Sequence, residues 1–259
     1  MTDSDKIIKK LKIYSADGAS MARSSAKVIQ EVTLAIDVNG TPLANIACAG
    51  IHLEELASGF LRSEKIIAGC GEIENIEINK NKCSANVTLK NKASFPRASV
   101  KNIASSGARG KSNINMLTPL SVPAGFTIKT SLALKLMDNL LNGSSVHNQT
   151  GGTHCSALAL RNKIVALRED IGRHNTIDML GGYALLQKIN LHRAIILTTG
   201  RISSEIVYKV WNLGIPVIIS HSAPTANAVE LTRRANILLI GYVRKGKMNI
   251  YSHERRIII

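Results

Sequence analysis

From residue 157 to residue 251 the chain alternates short apolar runs with amphipathic stretches, and few architectures accept that order. Runs at 157–160, 164–168, 194–198, 216–220, 237–243 and 247–251 read as strands, and helices are expected over 175–188, 203–212 and 224–235. The links are short and Gly214 closes one helix, so each helix must fold back over the sheet its strands build. The expectation for 126–259 is therefore an α/β unit with a largely parallel sheet and helices on both faces. Its longest apolar stretches, such as Ile237 to Ile240, fall far below the roughly 18 residues that span a bilayer, which argues against a membrane protein.

The first half is less regular. Residues 1–28 are polar and weakly patterned and read as a mobile arm. Alternation from Glu31 to Val38 ends at Asn39-Gly40, a strong hairpin signal. Residues 52–67 place Leu53, Leu56, Phe60 and Leu61 on one helical face, with Glu54 and Glu55 near the start where the helix dipole favours them. Strands are expected at 72–79 and 83–90, and a helix at 131–142 with Ser131 as cap and Gly143 as stop. The chain thus divides into the arm, a smaller α+β unit at 29–125, and the main unit at 126–259. Within the second, 91–121 is a serine-rich loop too long to be idle in a compact domain.

A net charge of +15 points to anionic partners such as nucleic acid, nucleotide, membrane surface or phosphorylated cofactor. Nine aromatic residues without a clustered stacking platform argue against nucleic acid. The acidic start MTDSDK lacks the apolar run of a secretory signal, so a cytoplasmic protein is expected. Cys48, Cys70, Cys83 and Cys155 form no CxxC pair, which suggests reduced thiols and no metal site.

In a doubly wound sheet, ligands sit beyond the carboxyl ends of the strands, where amides of the next helix meet anions. Thr198-Thr199-Gly200-Arg201-Ile202-Ser203 and Ser220-His221-Ser222 fall there. Arg168 to Asn175 packs charges between a strand and a helix, with Asp170, Arg173, His174 and Asn175 as candidate walls, and His154 lies in the glycine-bearing stretch before it. Tyr242-Val243-Arg244-Lys245-Gly246-Lys247 sets three cations on a tight turn that can clamp a diphosphate. Singly, these stretches also read as helix caps, a solvated charge cluster and a basic hairpin tip. Two such loops side by side favour a ligand site.

Together, EDIGRHNTIDML at 169–180, TTGRISSEIV at 198–207, GIPVIISHSAPTANAVEL at 214–231, GYVRKGKMNIYS at 241–252 and TGGTHCSAL at 150–158 resemble the formate dehydrogenase accessory sulfurtransferase family, FdhD. EVTLAIDVNGTPLA and EELASGFLRSEKII extend the resemblance across roughly residues 30 to 257. It implies a three-layer main domain similar to the cytidine deaminase fold and a cytoplasmic homodimer. Sulfur would come from a cysteine desulfurase and pass to the bis(molybdopterin guanine dinucleotide) form of the molybdenum cofactor, for maturation of a formate dehydrogenase. The family's cofactor-binding stretch falls on Tyr242 to Lys247, and 170–175 with 198–203 become pocket walls.

One departure bears on the chemistry. The family's loop holds transferred sulfur on the cysteines of a CGxCG-like motif, whereas this chain has Ser106-Gly107-Ala108-Arg109-Gly110 there. Neither Ser106 nor Arg109 can carry a sulfane sulfur. Among the remaining thiols Cys155 is the candidate substitute, because it adjoins His154, while Cys48, Cys70 and Cys83 occupy ordinary element or turn positions. The alternatives are a cofactor carrier or chaperone without transfer, and a zinc deaminase, suggested only by the fold and opposed by the lack of any PCxxC.

Overall fold

The computed structural model describes residues 6–91, 100–103 and 117–259. Strands β1 (Ile8–Ala16) and β2 (Met21–Ile29) pair antiparallel over their full lengths around a turn in which Asp17 Oδ1 accepts from the Ser20 amide at 2.9 Å. The stretch expected to be an arm therefore contains a hairpin. Its side chains are mostly exposed, and only its base joins a core, through Ile8 and Ile29 beside Ile7, Ala49 and Val146. Backbone pairing rather than burial builds it, so no apolar alternation marks it in the sequence.

Strands β3 (Val32–Val38) and β4 (Thr41–Cys48) turn through Asn39 and Gly40, whose φ values of 50° and 76° are those a two-residue hairpin requires. After helix α1 (Leu53–Ser63) come β5 (Ile73–Asn79), β6 (Ser84–Leu89) and β7 (Lys101–Ile103), completing a sheet of order β5-β6-β3-β4-β7. Leu53, Leu56, Phe60 and Leu61 bury against Leu34, Ile36, Ile46 and Val87 of this sheet. The helix stops at Ser63 rather than 67, because Lys65 turns left-handed at φ 59° and the Ile66 amide bonds back to the Leu61 carbonyl.

The second half continues with β8 (Ile128–Lys129), α2 (Thr130–Gly143), α3 (Ser145–Thr150), β9 (His154–Leu160), β10 (Lys163–Asp170), α4 (Arg173–Leu186), β11 (Ile195–Thr198), α5 (Ser204–Asn212), β12 (Val217–Ser220), α6 (Ala226–Arg234), β13 (Leu238–Arg244), β14 (Lys247–Ser252) and β15 (Ile257–Ile258). Strand β8 hands directly into α2, so Lys129 and not Ser131 precedes the helix, without a side-chain cap. Six strands form a sheet of order β10-β9-β11-β12-β13-β14. Only β11–β12 and β12–β13 are parallel, which corrects the expectation of a largely parallel sheet. The β9–β10 and β13–β14 links are two-residue turns with positive φ at Arg161, Asn162, Lys245 and Gly246, and links so short join only antiparallel strands. The protein is thus a mixed α/β fold with several sheets.

Side-chain alternation distributes the six-stranded sheet between two cores. Ile195, Leu197, Val217, Ile219, Leu238 and Ile240 bury against Leu136, Met137 and Leu140 of α2. Ile196, Ile218 and Leu239 face the opposite way, onto Ile177 and Leu180 of α4, Ile206 and Val210 of α5, and Leu231 of α6. Among the described residues no helix is long and apolar enough to cross a membrane.

The two sheets are joined where α1 meets α4. A Cβ at Gly59 would lie 1.7 Å from the Asp178 carbonyl oxygen, and one at Gly182 would lie 1.9 Å from that of Glu55, so the two backbones touch. Beside them Lys209 Nζ reaches Asp178 Oδ1 at 2.6 Å and Ser63 Oγ at 2.7 Å, all buried. Arg168 clamps Glu55 with two bonds of 2.5 and 2.6 Å.

Candidate functional site

Strands β11 and β12 end, and β9 begins, at one edge of the six-stranded sheet, because β9 runs against β11 while β11 and β12 run together. Neighbouring strands are about 4.8 Å apart, so the ends of β9, β11, β12 and β13 lay out a row about 14 Å long. Along it stand His154, then Thr199 to Arg201, then His221 and Ser222, then Tyr242 to Arg244.

Short polar bonds fix this row. The Cys155 amide donates to Thr199 Oγ1 at 3.0 Å, and the Thr199 amide returns a bond to the Cys155 carbonyl at 2.9 Å. Ser156, Thr176 and Thr198 join their hydroxyls at 2.7 and 2.9 Å. Ser220 Oγ donates to the Gly200 carbonyl and accepts from the Ser222 amide, each at 2.9 Å. Beyond the last β12–β13 pair, Ile219 with Ile240, strand β13 projects past the sheet edge. There Tyr242 turns left-handed at φ 58° and donates its amide to the Ser222 carbonyl at 3.1 Å.

The row is electropositive. Burial lowers the His154 pKa, and Arg173, His147 and Arg201 push it further in the same direction. Burial and then Arg201 act likewise on Arg173, against the opposing pull of Glu205. His221 is lowered by burial and by Arg244, whose guanidinium stacks 3.7 Å from the Tyr242 ring centre. Gly200 lets the backbone approach Arg173, since a Cβ there would stand 2.9 Å from the Arg173 Cβ. Thr153 Oγ1 and Ser203 Oγ are buried and bond to no partner among the described residues. Cations that repel one another, with unfilled hydroxyls beside them, suit a ligand with several anionic oxygens.

The predicted site residues separate into two groups. His154, Thr199, Gly200, Arg201, Arg173, Tyr242 and Arg244 belong to the row, with Lys245, Gly246 and Lys247 exposed on the hairpin tip beyond it. Ser203 lies just behind, at the start of α5. Val243 instead points into the core beneath α2, because alternation along β13 turns it inward between Tyr242 and Arg244. The dense segment 168–175 is largely joinery. Arg168 holds Glu55, and Glu169 accepts from the Val146 and His147 amides at the start of α3. Asp170, wholly buried, accepts from the Ala49 and Gly172 amides and from Asn175 Nδ2, which also donates to the Ala47 carbonyl. His174 is buried too, with Nε2 3.5 Å from Glu205 Oε2. Asp170, His174 and Asn175 therefore support the row from behind and do not line it.

Cys155 is fully buried, and burial pushes its thiol up to about 12, so it carries no thiolate near neutrality. Ser106 and Arg109 lie outside the described residues. His147 and Glu205 reach the site without having been singled out in the sequence, the first from α3 and the second from α5. A cavity of about 910 Å³ opens at the opposite end of the sheet, beside the Arg161-Asn162 turn, and shares no residue with the row.

A family model described as the FdhD/NarQ family matches residues 29–258. A protein named Sulfur carrier protein FdhD from Bacillus licheniformis is 34% identical over 251 residues, covering 95% of either chain. The protein of that name from Bacillus subtilis is 30% identical over 258 residues, covering 98% of either chain. The fold is shared with the crystal structure of a protein from Desulfotalea psychrophila described as a formate dehydrogenase accessory protein. That match has a TM-score of 0.78 and 22% identity, covering 97% of this chain and 100% of the other.

Proposed function

The chain belongs to the FdhD/NarQ family, and from that premise we propose that it is a sulfur carrier whose strand-end row binds the guanine dinucleotide form of molybdopterin as cargo. The observation that carries the reading is the alignment of Arg173, Arg201 and Arg244, with His154 and His221 between them, along adjacent strand ends. A row of about 14 Å suits an extended dinucleotide better than a single phosphate. Arginine forks at both ends provide bidentate bonds to phosphate oxygens.

In this reading the cargo serves a formate dehydrogenase, the sulfur donor is a cysteine desulfurase, and the protein acts as a cytoplasmic homodimer. The packing of α2 on one sheet face and α4, α5 and α6 on the other supports a three-layer arrangement like that of cytidine deaminases. Carriage of the cofactor without sulfur transfer gains weight from two observations. Ser106 and Arg109 bear no thiol, and Cys155 is sealed in the core.

Isothermal titration with GDP tests the row. Wild type should bind, and Arg201→Ala combined with Arg244→Ala should weaken binding strongly, since each charge-assisted bond lost costs about 1.5–3 kcal/mol. Arg244→Ala with Lys247→Ala isolates the hairpin's share. Affinity unchanged in both double variants overturns the assignment.

A further inference from the structure

A groove bends around the link from Lys188 to Arg193 that joins α4 to β11, at the sheet end opposite the strand-end row. On one side of the link it widens into the cavity of about 910 Å³ beside the β9–β10 turn. On the other side a smaller hollow of about 360 Å³ reaches Arg62 of α1 and Leu213 beyond α5. Ile189, Asn190 and His192 line both, so the two spaces meet at the link.

The floor of the groove is apolar and its rim is cationic. Leu160 and Ile189 carry the core beneath α4, α5 and α6 out to the surface. Val165 joins them through a bulge, because Ile164 pairs with Ala159 and Ala166 with Leu158, which leaves Val165 without a partner on β9 and 40% exposed. Around this floor stand Arg161, Lys163, His192 and Arg193, and Arg62 and Lys188 continue the rim into the smaller hollow. Among the described residues no carboxylate lines either space. The hollow beside the β5–β6 turn, by comparison, mixes Glu77 with Lys80.

We propose that this groove docks an extended segment of a partner protein in which acidic and apolar side chains alternate. The spread of charge selects that occupant. A free amphipathic carboxylate brings one anionic head, which a single cluster of cations would satisfy, whereas here cations stand on both sides of the link with apolar surface between them. Side chains of an extended segment point alternately to two faces, so its carboxylates can meet the rim while its apolar side chains cover Leu160, Val165 and Ile189. Burial of that floor supplies affinity, and the rim steers the partner and rejects a basic one. The bulge interrupts the ladder of β10, the outermost strand of its sheet, so side chains rather than strand addition hold the segment. The cavity shares no residue with the row, so docking of a partner and binding of a cofactor can occur together.

The test follows the fluorescence anisotropy of a fluorescein-labelled peptide alternating glutamate and leucine, titrated with the full chain. Wild type should bind it, and Lys163→Glu with Arg193→Glu should weaken binding by roughly tenfold or more. Val165→Asp should weaken it comparably, because it sets a carboxylate on the apolar floor. Attraction to the net charge of +15 is measured with Lys10→Glu and Lys12→Glu on the β1–β2 hairpin, which remove the same charge elsewhere and should change affinity by less than about twofold. All five side chains are exposed, so each variant should keep the wild-type circular dichroism. A peptide alternating glutamate and serine should bind roughly tenfold more weakly, and excess GDP should leave the anisotropy unchanged. The proposal is overturned if the hairpin variant loses as much affinity as the groove variant, if the glutamate–serine peptide binds as well, or if GDP displaces the peptide. Calorimetric binding of dodecanoate without binding of the peptide gives the groove to a free carboxylate and also overturns it. So does a dimer that Lys163→Glu with Arg193→Glu dissociates while the peptide fails to bind, since the occupant is then a second copy.

Discussion

The junction between the two sheets and the strand-end row are both crowded with polar and charged groups, yet they are built on opposite terms. At the junction every charge is answered. Lys209 meets Asp178 and Ser63, Arg168 meets Glu55, and the α1 and α4 backbones touch at Gly59 and Gly182. At the row the cations face one another, and the pull of Glu205 on Arg173 opposes them. Charge density alone does not separate scaffold from site. What separates them is the sign of the neighbouring charges, opposite at the junction and alike at the row.

The comparison breaks most visibly at the junction. Gly59→Val should abolish folding, because its Cβ would fall within 1.7 Å of the Asp178 carbonyl on a rigid helix, and soluble yield with circular dichroism reads the result. Lys209→Met should cost about 3–5 kcal/mol in urea unfolding by leaving Asp178 buried without its cation. Adding Asp178→Leu should recover most of that loss, since the uncompensated charge is then gone.

At the row a smaller effect with a defined sign is expected. Folded His154 and His221 have depressed pKa values, so they hold protons less readily than in the unfolded chain. Each contributes stability present above the unfolded value of about 6.5 that is lost as pH falls below it. A bound anion reverses that preference, so affinity for GDP should rise severalfold between pH 7.5 and pH 5.5. His154→Gln with His221→Gln should flatten the dependence, and titration calorimetry across that range measures it.

Much of the fold is legible in the sequence where a local rule decides it. Asn39-Gly40 dictates its hairpin, and the stripe Leu53, Leu56, Phe60, Leu61 dictates a one-sided helix. The strand-end placement of the row is legible because strand and helix alternation sets Thr199 to Arg201 and His221 just after apolar runs. What stays hidden depends on partners distant in sequence. Arg168 and Glu55 are 113 positions apart, and Asp170 and Ala49 are 121 apart, so the cluster at 168–175 looks like a site until those partners are in place. Gly59 and Gly182 carry no local sign that their helices cross. The β1–β2 hairpin is hidden for another reason, since its strands bury almost nothing.

The central claim is that the row's cations serve a ligand and contribute little to the fold, and urea unfolding of Arg201→Ala with Arg244→Ala tests it most directly. Without ligand the double variant should match wild type within about 0.5 kcal/mol or exceed it, because relief of mutual repulsion offsets the loss of the exposed Arg244–Tyr242 stack. With GDP at a hundred times its dissociation constant, wild type should gain about 2.7 kcal/mol and the variant much less. A variant that loses more than about 1 kcal/mol without ligand, or gains as much from GDP as wild type does, contradicts the account.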